Sequence, residues 1–344
     1  MPTNKTVQGI REAVGSRMLR DTSRDWEGCP EVSLPYGNGS LFVSPLAKTP
    51  MEMANGVVPP SEVERVREQL RAVADKLGDE DVDIQDILLM KWIEAANVGG
   101  PDTVAHTTLD DILHQRGVAK KQGGSGGRGG YRPGERKRIW DTVVRLRHLY
   151  VQAAEEVWKG NKRSSEQVRS YVVAVTDEVG VGEDGVPYGF RYRPGKMLAD
   201  LLLQDMRQYT YLSRQVLKYH PVNHAVEKRL ARLFAYRWRV DRKKERSLRV
   251  RIGQIIEKSG EAERFEKRPD RVRARIEKAL DRLRKDGVID SWSYDGWGTA
   301  SAGTDRGLQA WAAAALVVSP PPDLLRHLRT IGRETKRGEP RPPS

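Results

Sequence analysis

The segment Pro269–Lys285, whose sequence is PDRVRARIEKALDRLRK, is the starting point for predicting the fold. Pro269 suits the first position of a helix, where the N–H that it lacks would have had no partner. Apolar residues recur every three or four positions and predict a helix with one buried face: Val272, Ile276, Ala279, Leu280 and Leu283. A neighbouring stripe at the same spacing is entirely basic: Arg271, Arg275, Lys278 and Arg282. An amphipathic helix with an all-basic flank indicates contact with a polyanion.

The other flank of this helix carries charges of both signs: Arg273, Glu277, Asp281 and Arg284. Such spacing predicts ordinary ion pairs on an exposed helix surface. Arg271 and Arg275 are therefore expected to reach outward to a ligand, whereas Arg273 is not. An arginine side chain can bond O6 and N7 of guanine together when its helix lies in the major groove. A solvated flank that binds nothing is the alternative.

The segments on either side predict three helices followed by a β-hairpin. Two helices come first, at Pro221–Val240 and Leu248–Lys258. After the basic helix, a strand at Val288–Tyr294 and a return strand at Leu316–Val318 are expected, because Asp295-Gly296 is a turn sequence. Three helices and a hairpin in this order are typical of a winged-helix module.

An earlier part of the chain is predicted to repeat this order without recognisable sequence identity. A leading helix begins at the N-cap Ser61 and ends at Gly78. The following elements are three helices and two strands: Asp83–Ala96, Leu109–Gln115, Glu135–Ala154, Tyr171–Val175 and Tyr188–Arg193. The fold class is therefore expected to be α+β, mainly α with short β-hairpins, in two tandem winged-helix domains.

These elements suggest four parts of the chain. Residues 1–60 are rich in Gly, Pro, Ser and Thr and are expected to be a flexible N-terminal arm. The first winged-helix domain, with its leading helix, spans 61–212, and the second spans 213–318. Residues 319–344 are expected to form a C-terminal helix, Asp323–Ile331, and a basic, proline-rich tail.

The charge of the chain favours a polyanionic partner. The 344 residues include 60 Lys+Arg and 47 Asp+Glu, which leaves a net charge of +13 and a pI of about 9.8. Most of the excess lies in 211–299, which sums to +11, and a second concentration of +7 spans Lys120–Arg147. Nucleic acid and an anionic membrane surface are the two partner classes that such charge fits.

Other features narrow the class. No apolar run approaches the roughly 20 residues of a membrane span, and Met1–Arg24 lacks the apolar core of a secretory signal. The single cysteine, Cys29, cannot form an internal disulfide or a cysteine-based zinc site. The expected location is the cytoplasm, in association with the nucleoid, with no membrane partner.

Candidate DNA contacts fall into base-reading and phosphate-binding groups. The connection Arg242–Arg251 is expected to bind phosphates, which adds affinity without sequence information. In the first module most cations precede its third helix, around a glycine-rich loop, Gly123–Gly130, that would either contact phosphates or act as a spacer. The predicted DNA-binding residues are Lys120, Lys121, Arg128, Arg132, Arg136, Lys137, Arg138, Arg145, Lys243, Lys244, Arg246, Arg249, Arg251, Arg268, Arg271, Arg275, Lys278 and Arg282.

Three stretches resemble plasmid replication initiators of the RepA/TrfA type. They are the entry Gly130–Arg136 (GYRPGER), the stretch Arg273–Leu283 (RARIEKALDRL) and the ending VVSPP that begins at Val317. The resemblance covers roughly residues 80–330. It implies binding of repeated origin sequences by two winged helices, and recruitment of host replication initiator and helicase proteins. The glycine-rich insertion and the long arm before residue 60 depart from that pattern.

Enzymatic alternatives find little support in the sequence. None of the six histidines forms the His-hydrophobic-His pair of a rolling-circle initiator. His220 and His224 would need a third ligand such as Glu227 to bind a metal. Asp81-Val82-Asp83 resembles a polymerase carboxylate pair, but helix N-terminal charge preference explains it better.

We therefore expect a non-enzymatic, sequence-specific double-stranded DNA-binding protein without catalytic residues, metal or cofactor. A replication initiator of a plasmid or integrative element is the leading interpretation. A winged-helix transcriptional repressor and a primase- or relaxase-like enzyme are the alternatives. Monomer and homodimer are both left open.

Overall fold

The computed structural model describes residues 5–15, 18–21, 25–26, 29–34, 39–43, 60–121, 130–159, 162–204, 212–240, 247–297 and 305–326. The chain divides into two compact units, Met1–Met206 and Arg207–Ser344. The predicted domain boundary lies six residues further on, between residues 212 and 213.

The first unit combines helices with two antiparallel sheets. Its helices are α1 (Lys5–Gly15), α2 (Met18–Asp21), α3 (Pro60–Lys76), α4 (Asp79–Gly99), α5 (Leu109–Gln115), α6 (Pro133–Arg147) and α7 (Lys196–Gln204). Its strands are β1 (Asp25–Trp26), β2 (Cys29–Ser33), β3 (Gly39–Val43), β4 (Ala105–Thr108), β5 (Leu149–Lys159), β6 (Lys162–Tyr171), β7 (Ala174–Val181) and β8 (Pro187–Arg193). One sheet has the order β1-β2-β3-β5-β6 and the other has the order β4-β8-β7.

The second unit contains one antiparallel sheet, of order β10-β11-β9. Its elements are α8 (Gln215–Lys218), α9 (Ala225–Val240), β9 (Leu248–Arg251), α10 (Ile252–Ser259), α11 (Ala262–Lys267), α12 (Pro269–Lys285), β10 (Ser291–Asp295), α13 (Asp305–Ala313) and β11 (Ala315–Ser319). Helix α12 spans the predicted Pro269–Lys285, and its five predicted core residues are all buried.

The two units share one order of elements. In each, a helix leads into a short strand, a short helix and a longer helix, and a pair of strands completes one sheet; α11 and α13 of the second unit and β5 and β6 of the first are additional to this order. In each, the first strand pairs with the last: β4 with β8, and β9 with β11. The predicted α+β class is confirmed.

Strand β9 corrects the predicted helix Leu248–Lys258. Leu248 and Val250 are buried and alternate with exposed Arg249 and Arg251, which is the two-residue period of a half-buried strand. Leu248 pairs with Val318 and Val250 with Leu316 in β11. The helix therefore begins only at Ile252.

The predicted helix Glu135–Ala154 is also too long. Helix α6 ends at Arg147, and β5 begins at Leu149 because its first residues pair with β3, with Phe42 opposite Tyr150. Their rings stack with centroids 5.5 Å apart. A run of residues with high β-propensity forms a strand when a neighbouring strand can pair with it.

That pairing corrects the prediction of a flexible arm over 1–60 as well. The described residues of this segment include α1 and three strands, and Ile10, Leu41 and Val43 are buried. The Nη2 atom of Arg11 lies 2.5 Å from Oδ1 of Asp86 in α4, and both side chains are buried. This segment is therefore part of the core of the first unit.

Smaller corrections concern element ends. Helix α9 begins at Ala225 rather than Pro221, and the predicted strand Tyr171–Val175 falls across the end of β6 and the start of β7. The predicted helix Asp323–Ile331 is described only as far as residue 326, and residues 322–326 are helical. The remainder of that prediction lies outside the described residues. No helix in the described ranges is long and apolar enough to cross a membrane.

Candidate nucleic-acid interface

The solvent side of α12 is narrower than the predicted basic stripe. Arg271, Ala274 and Lys278 are exposed and lie along one line of the helix surface. Neither Arg271 nor Lys278 has an ion-pair partner within the described part of the chain. Both side chains can therefore contact a ligand without breaking an ion pair of the described residues.

The other two members of the stripe are held by buried carboxylates. Nη1 of Arg275 lies 3.3 Å from Oε1 of Glu261, and Nε of Arg282 lies 3.5 Å from Oε1 of Glu227. Arg282 also has its Nη1 2.6 Å from Nε2 of His224. Burial, and then the charge of Arg282, lower the pKa of His224. Arg275 and Arg282, both predicted DNA contacts, therefore differ from Arg271 in having a buried carboxylate as partner.

The mixed-charge flank contacts residues of and beside β10 as well as solvent. The hydroxyl of Tyr294 donates to Oε1 of Glu277 at 2.9 Å, and Nε1 of Trp292 donates to Oδ1 of Asp281 at 3.1 Å. The guanidinium of Arg273 lies 5.4 Å from the ring centre of Trp297. The predicted ion pairs are present as well, with Arg273 3.7 Å from Glu277 and Arg284 3.3 Å from Asp281. The same flank therefore both carries its ion pairs and contacts residues of and beside β10.

A cleft of about 430 Å³ opens beside the start of α12. Its lining contains five basic side chains and one acidic side chain: Arg264, Lys267, Arg268, Arg271, Arg275 and Glu261, together with Val272. Arg268 and Arg271 were predicted contacts, whereas Arg264 and Lys267 were not. The missed residues belong to α11, whose sequence mixes acidic and basic residues and has no buried member.

Two further predicted contacts of the second unit, Arg249 and Arg251, are exposed. Nη2 of Arg249 lies 2.7 Å from Oδ2 of Asp295, although 65% of the Arg249 side chain stays exposed. Arg251 is exposed at the start of α10. Lys243, Lys244 and Arg246 lie outside the described residues.

In the first unit, carboxylates bind the arginines of α6. Arg136 donates to both oxygens of Asp110, from Nε at 2.6 Å and from Nη2 at 2.8 Å. Arg138 donates from Nη2 to Oε1 of Glu80 at 2.6 Å, and Glu80 also pairs with Arg116. Burial alone would raise the pKa of Glu80, but the bonds from these two arginines outweigh it and lower that pKa.

The third arginine of α6, Arg145, pairs with a more deeply buried carboxylate than Arg136 and Arg138 do. Nε of Arg145 donates to Oδ1 of Asp81 at 2.8 Å, and Nη2 donates to Oγ1 of Thr142 at 2.7 Å. The Asp81 side chain is 1% exposed, and burial raises its pKa to about 6 despite Arg145. Asp81 therefore anchors α6 to α4. Arg136, Arg138 and Arg145, all predicted DNA contacts, each form an ion pair with a carboxylate of this unit.

The other predicted cations of the first unit lie at or near the neck of the glycine-rich loop. Lys121 and Gly130 exchange backbone hydrogen bonds of 2.9 and 3.2 Å, which close that neck. Nζ of Lys120 lies 5.5 Å from the ring centre of Tyr131, and Arg132 is exposed just before α6. Lys137 pairs with Asp141 at 3.2 Å, and Arg128 lies outside the described residues.

The described residues contain no cluster of His, Cys, Asp and Glu that could hold a metal ion. His220 accepts hydrogen bonds at Nδ1 from the backbone N–H groups of Val222 and Asn223, both at 3.2 Å. His224 accepts one at Nδ1 from the backbone of His220. These histidines shape the turn before α9.

Comparisons with known proteins identify no family for this chain. No protein-family model and no curated protein matches the chain. Among solved structures, the chain is similar to "RctB domains 2-3, RctB-155-483", with 15% identity, a TM-score of 0.49 and coverage of 93% of this chain and 99% of that one. It is also similar to a selenomethionine derivative of "domain2 and domain 3 of RctB", with 13% identity, a TM-score of 0.47 and coverage of 90% and 99%. Similarity at this level carries no argument about function.

Proposed function

We propose that the protein binds double-stranded DNA sequence-specifically, through two winged-helix modules of which the second supplies the main contact. The observation that carries this proposal is the solvent line of α12, where Arg271 and Lys278 stand exposed without an ion-pair partner in the described residues. A helix flanked by a hairpin and presenting such cations suits insertion into the major groove.

Different residues of the second module would supply sequence preference and affinity. Arg271 stands in the first turn, where reading helices commonly meet base edges, and its side chain can bond guanine at two atoms. Lys278 lies two turns further along the same line. Arg249 and Arg251 on β9 would bind phosphates, which strengthens binding without selecting sequence.

We propose that the first module binds DNA more weakly than the second. Its third helix, α6, has its arginines engaged by Asp110, Glu80 and Asp81. Its accessible cations, Lys120, Lys121 and Arg132, suit phosphate contacts beside the glycine-rich loop. The two modules would therefore contribute unequally.

The biological role that we propose is initiation of replication at repeated origin sites of a plasmid or integrative element. The resemblance of Gly130–Arg136 and Arg273–Leu283 to plasmid initiators supports it. Host replication proteins would then be partners, and the chain would act without catalysis of its own.

A binding competition tests this proposal. If direct repeats lie beside the gene, fluorescence anisotropy would compare the full chain on a duplex carrying those repeats with a shuffled duplex of equal length and composition. Preference for the repeats by at least tenfold supports the initiator role. Equal affinity for both duplexes would overturn sequence-specific binding. Preference for a single inverted site in the promoter would favour the repressor, and nicking or primer synthesis with Mg²⁺ would favour the enzyme.

A further inference from the structure

We propose that the cleft between α11 and α12 is a built pocket for one phosphate group, in which Glu261 positions two of the arginines. The proposal rests on the proposed function only for the source of that phosphate. The phosphate group of a nucleic-acid backbone and free inorganic phosphate share the chemistry that the cleft recognises.

The charge of the cleft calls for an anion. Five cations face one carboxylate among its lining residues, which leaves a net charge of +4. Lys267, Arg268 and Arg271 are exposed and have no ion-pair partner within the described residues. Gathering like charges in one concavity costs free energy that a bound anion would relieve.

The carboxylate in the cleft, Glu261, holds two of the arginines in place. The Glu261 side chain is 4% exposed, and its Oε1 lies 3.2 Å from Nη1 of Arg264 and 3.3 Å from Nη1 of Arg275. These arginines come from different helices, and one buried carboxylate holds both at the cleft. Arginines held in place in this way lose less conformational entropy when they bind an anion than free side chains would.

The shape and the backbone agree with a phosphate. Arginine forks match phosphate oxygens two at a time, so the arginines of the cleft favour phosphate over a halide. The first turn of α12 begins at the cleft, and no side chain caps it. A volume of about 430 Å³ exceeds that of a phosphate ion and leaves room for an attached sugar.

Calorimetric titration of the full chain with inorganic phosphate, at ionic strength held constant with sodium chloride, tests the pocket. Saturable binding of one phosphate is expected. The double substitution K267Q/R268Q, which leaves Arg271 in place, should weaken it at least tenfold, because hydrogen bonds between charged groups are the strong ones. The control, K285Q, removes a cation from the far end of the same helix and should leave the affinity unchanged.

The variant E261Q separates a positioned pocket from diffuse attraction. It makes the protein more positive by one charge, so diffuse attraction predicts equal or tighter phosphate binding. Positioning by Glu261 predicts weaker binding, since Arg264 and Arg275 lose their anchor. Thermal melts check that each variant is folded. Should E261Q fail to fold, the comparison of K267Q/R268Q with K285Q still decides.

Three outcomes would overturn the pocket: no saturable phosphate binding, equal weakening by K285Q, or equal or tighter binding by E261Q. Competition by a short duplex against phosphate identifies the nucleic-acid backbone as the source, and binding of phosphate without competition identifies the free ion. Sequence-specific DNA binding without phosphate binding would reject this inference alone. Phosphate binding without DNA binding would reject the proposed function alone.

Discussion

Arg275 and Glu261 form an ion pair in which Nη1 of the arginine lies 3.3 Å from Oε1 of a carboxylate that is 4% exposed. This pair ties the middle of α12 to the residue that precedes α11. Helical spacing places Arg275 beside Arg271, but the ion pair gives Arg275 a structural role. The line from Arg271 to Lys278 is then the surface that α12 presents to a ligand.

The first prediction concerns Arg271→Ala. Arg271 is exposed, so its loss should leave the unfolding free energy nearly unchanged. If it bonds a guanine, the substitution should weaken specific binding by about 1–3 kcal/mol and relax the preference at one base pair. Anisotropy on the repeat duplex and on single-base variants of it measures both effects, with Lys285→Ala as the matched control. Loss of affinity on all sequences alike would make Arg271 a phosphate contact instead.

The second prediction concerns Arg273→Ala on the opposite flank. The guanidinium contacts the Trp297 ring and has its Nε 3.7 Å from Oε1 of Glu277, so the substitution loosens α12 from the hairpin. We expect the unfolding free energy to fall by about 1 kcal/mol, the size of one partly exposed cation–π contact with an ion pair. Urea unfolding measures it. An unchanged midpoint together with a large loss of DNA specificity would mean that this flank, rather than Arg271, reads the DNA.

The third prediction concerns the first unit. Arg136→Ala breaks the two-bond pair with Asp110 and should lower stability by about 1–3 kcal/mol, since bonds to charged groups lie in that range. The affinity for DNA should change little, because Arg136 is not available to a ligand. Arg132→Ala, at an exposed position in the same region, is the comparison and should show the reverse. A loss of DNA affinity from Arg136→Ala at full stability would contradict the assignment.

The fourth prediction concerns pH. The pKa of Asp81 is raised to about 6 in the folded protein, so the folded state binds more protons than the unfolded state at mildly acidic pH. The stability of the α4–α6 contact should therefore fall as pH rises from about 4.5 to 6 and change little above that. Glu80, whose pKa is lowered, contributes the opposite slope, but only below its ordinary value. Hydrogen exchange of α4 and α6 amides, corrected for the intrinsic effect of pH, measures the slope.

Asp81→Asn provides the check on that assignment. The amide does not titrate, so the slope between pH 4.5 and 6 should disappear. A slope that persists in this variant would assign the titration to another group. A wild-type protection that rises with pH over this window would show that Arg145 outweighs burial at Asp81.

The fifth prediction is a steep salt dependence. Neutralising phosphates with cations releases counterions, so binding by the second unit should weaken by orders of magnitude between about 50 and 200 mM salt. Lys243→Ala and Lys244→Ala should flatten that slope and weaken all sequences alike if this connection binds phosphates. An isotherm that hardly moves with salt would remove the nucleic-acid interpretation.

The elements decided by short-range patterns could be predicted from the sequence. Val272, Ile276, Ala279, Leu280 and Leu283 define the buried face of α12, because a helix repeats every 3.6 residues whatever surrounds it. Helix α5 likewise begins and ends as expected, since Thr108 caps it by accepting from the backbone N–H of Asp111. The α+β class follows from such local signals.

Tertiary structure decided the elements and roles that depend on distant partners. Leu149 continues a helical pattern, yet it lies in a strand because β3 pairs with it from more than a hundred residues away. Arg271 and Arg275 have the same spacing and chemistry, but only Arg275 meets the buried Glu261. Helical periodicity states which side chains share a face, whereas the availability of a cation depends on which carboxylates the fold brings to it, and that is set by packing between elements.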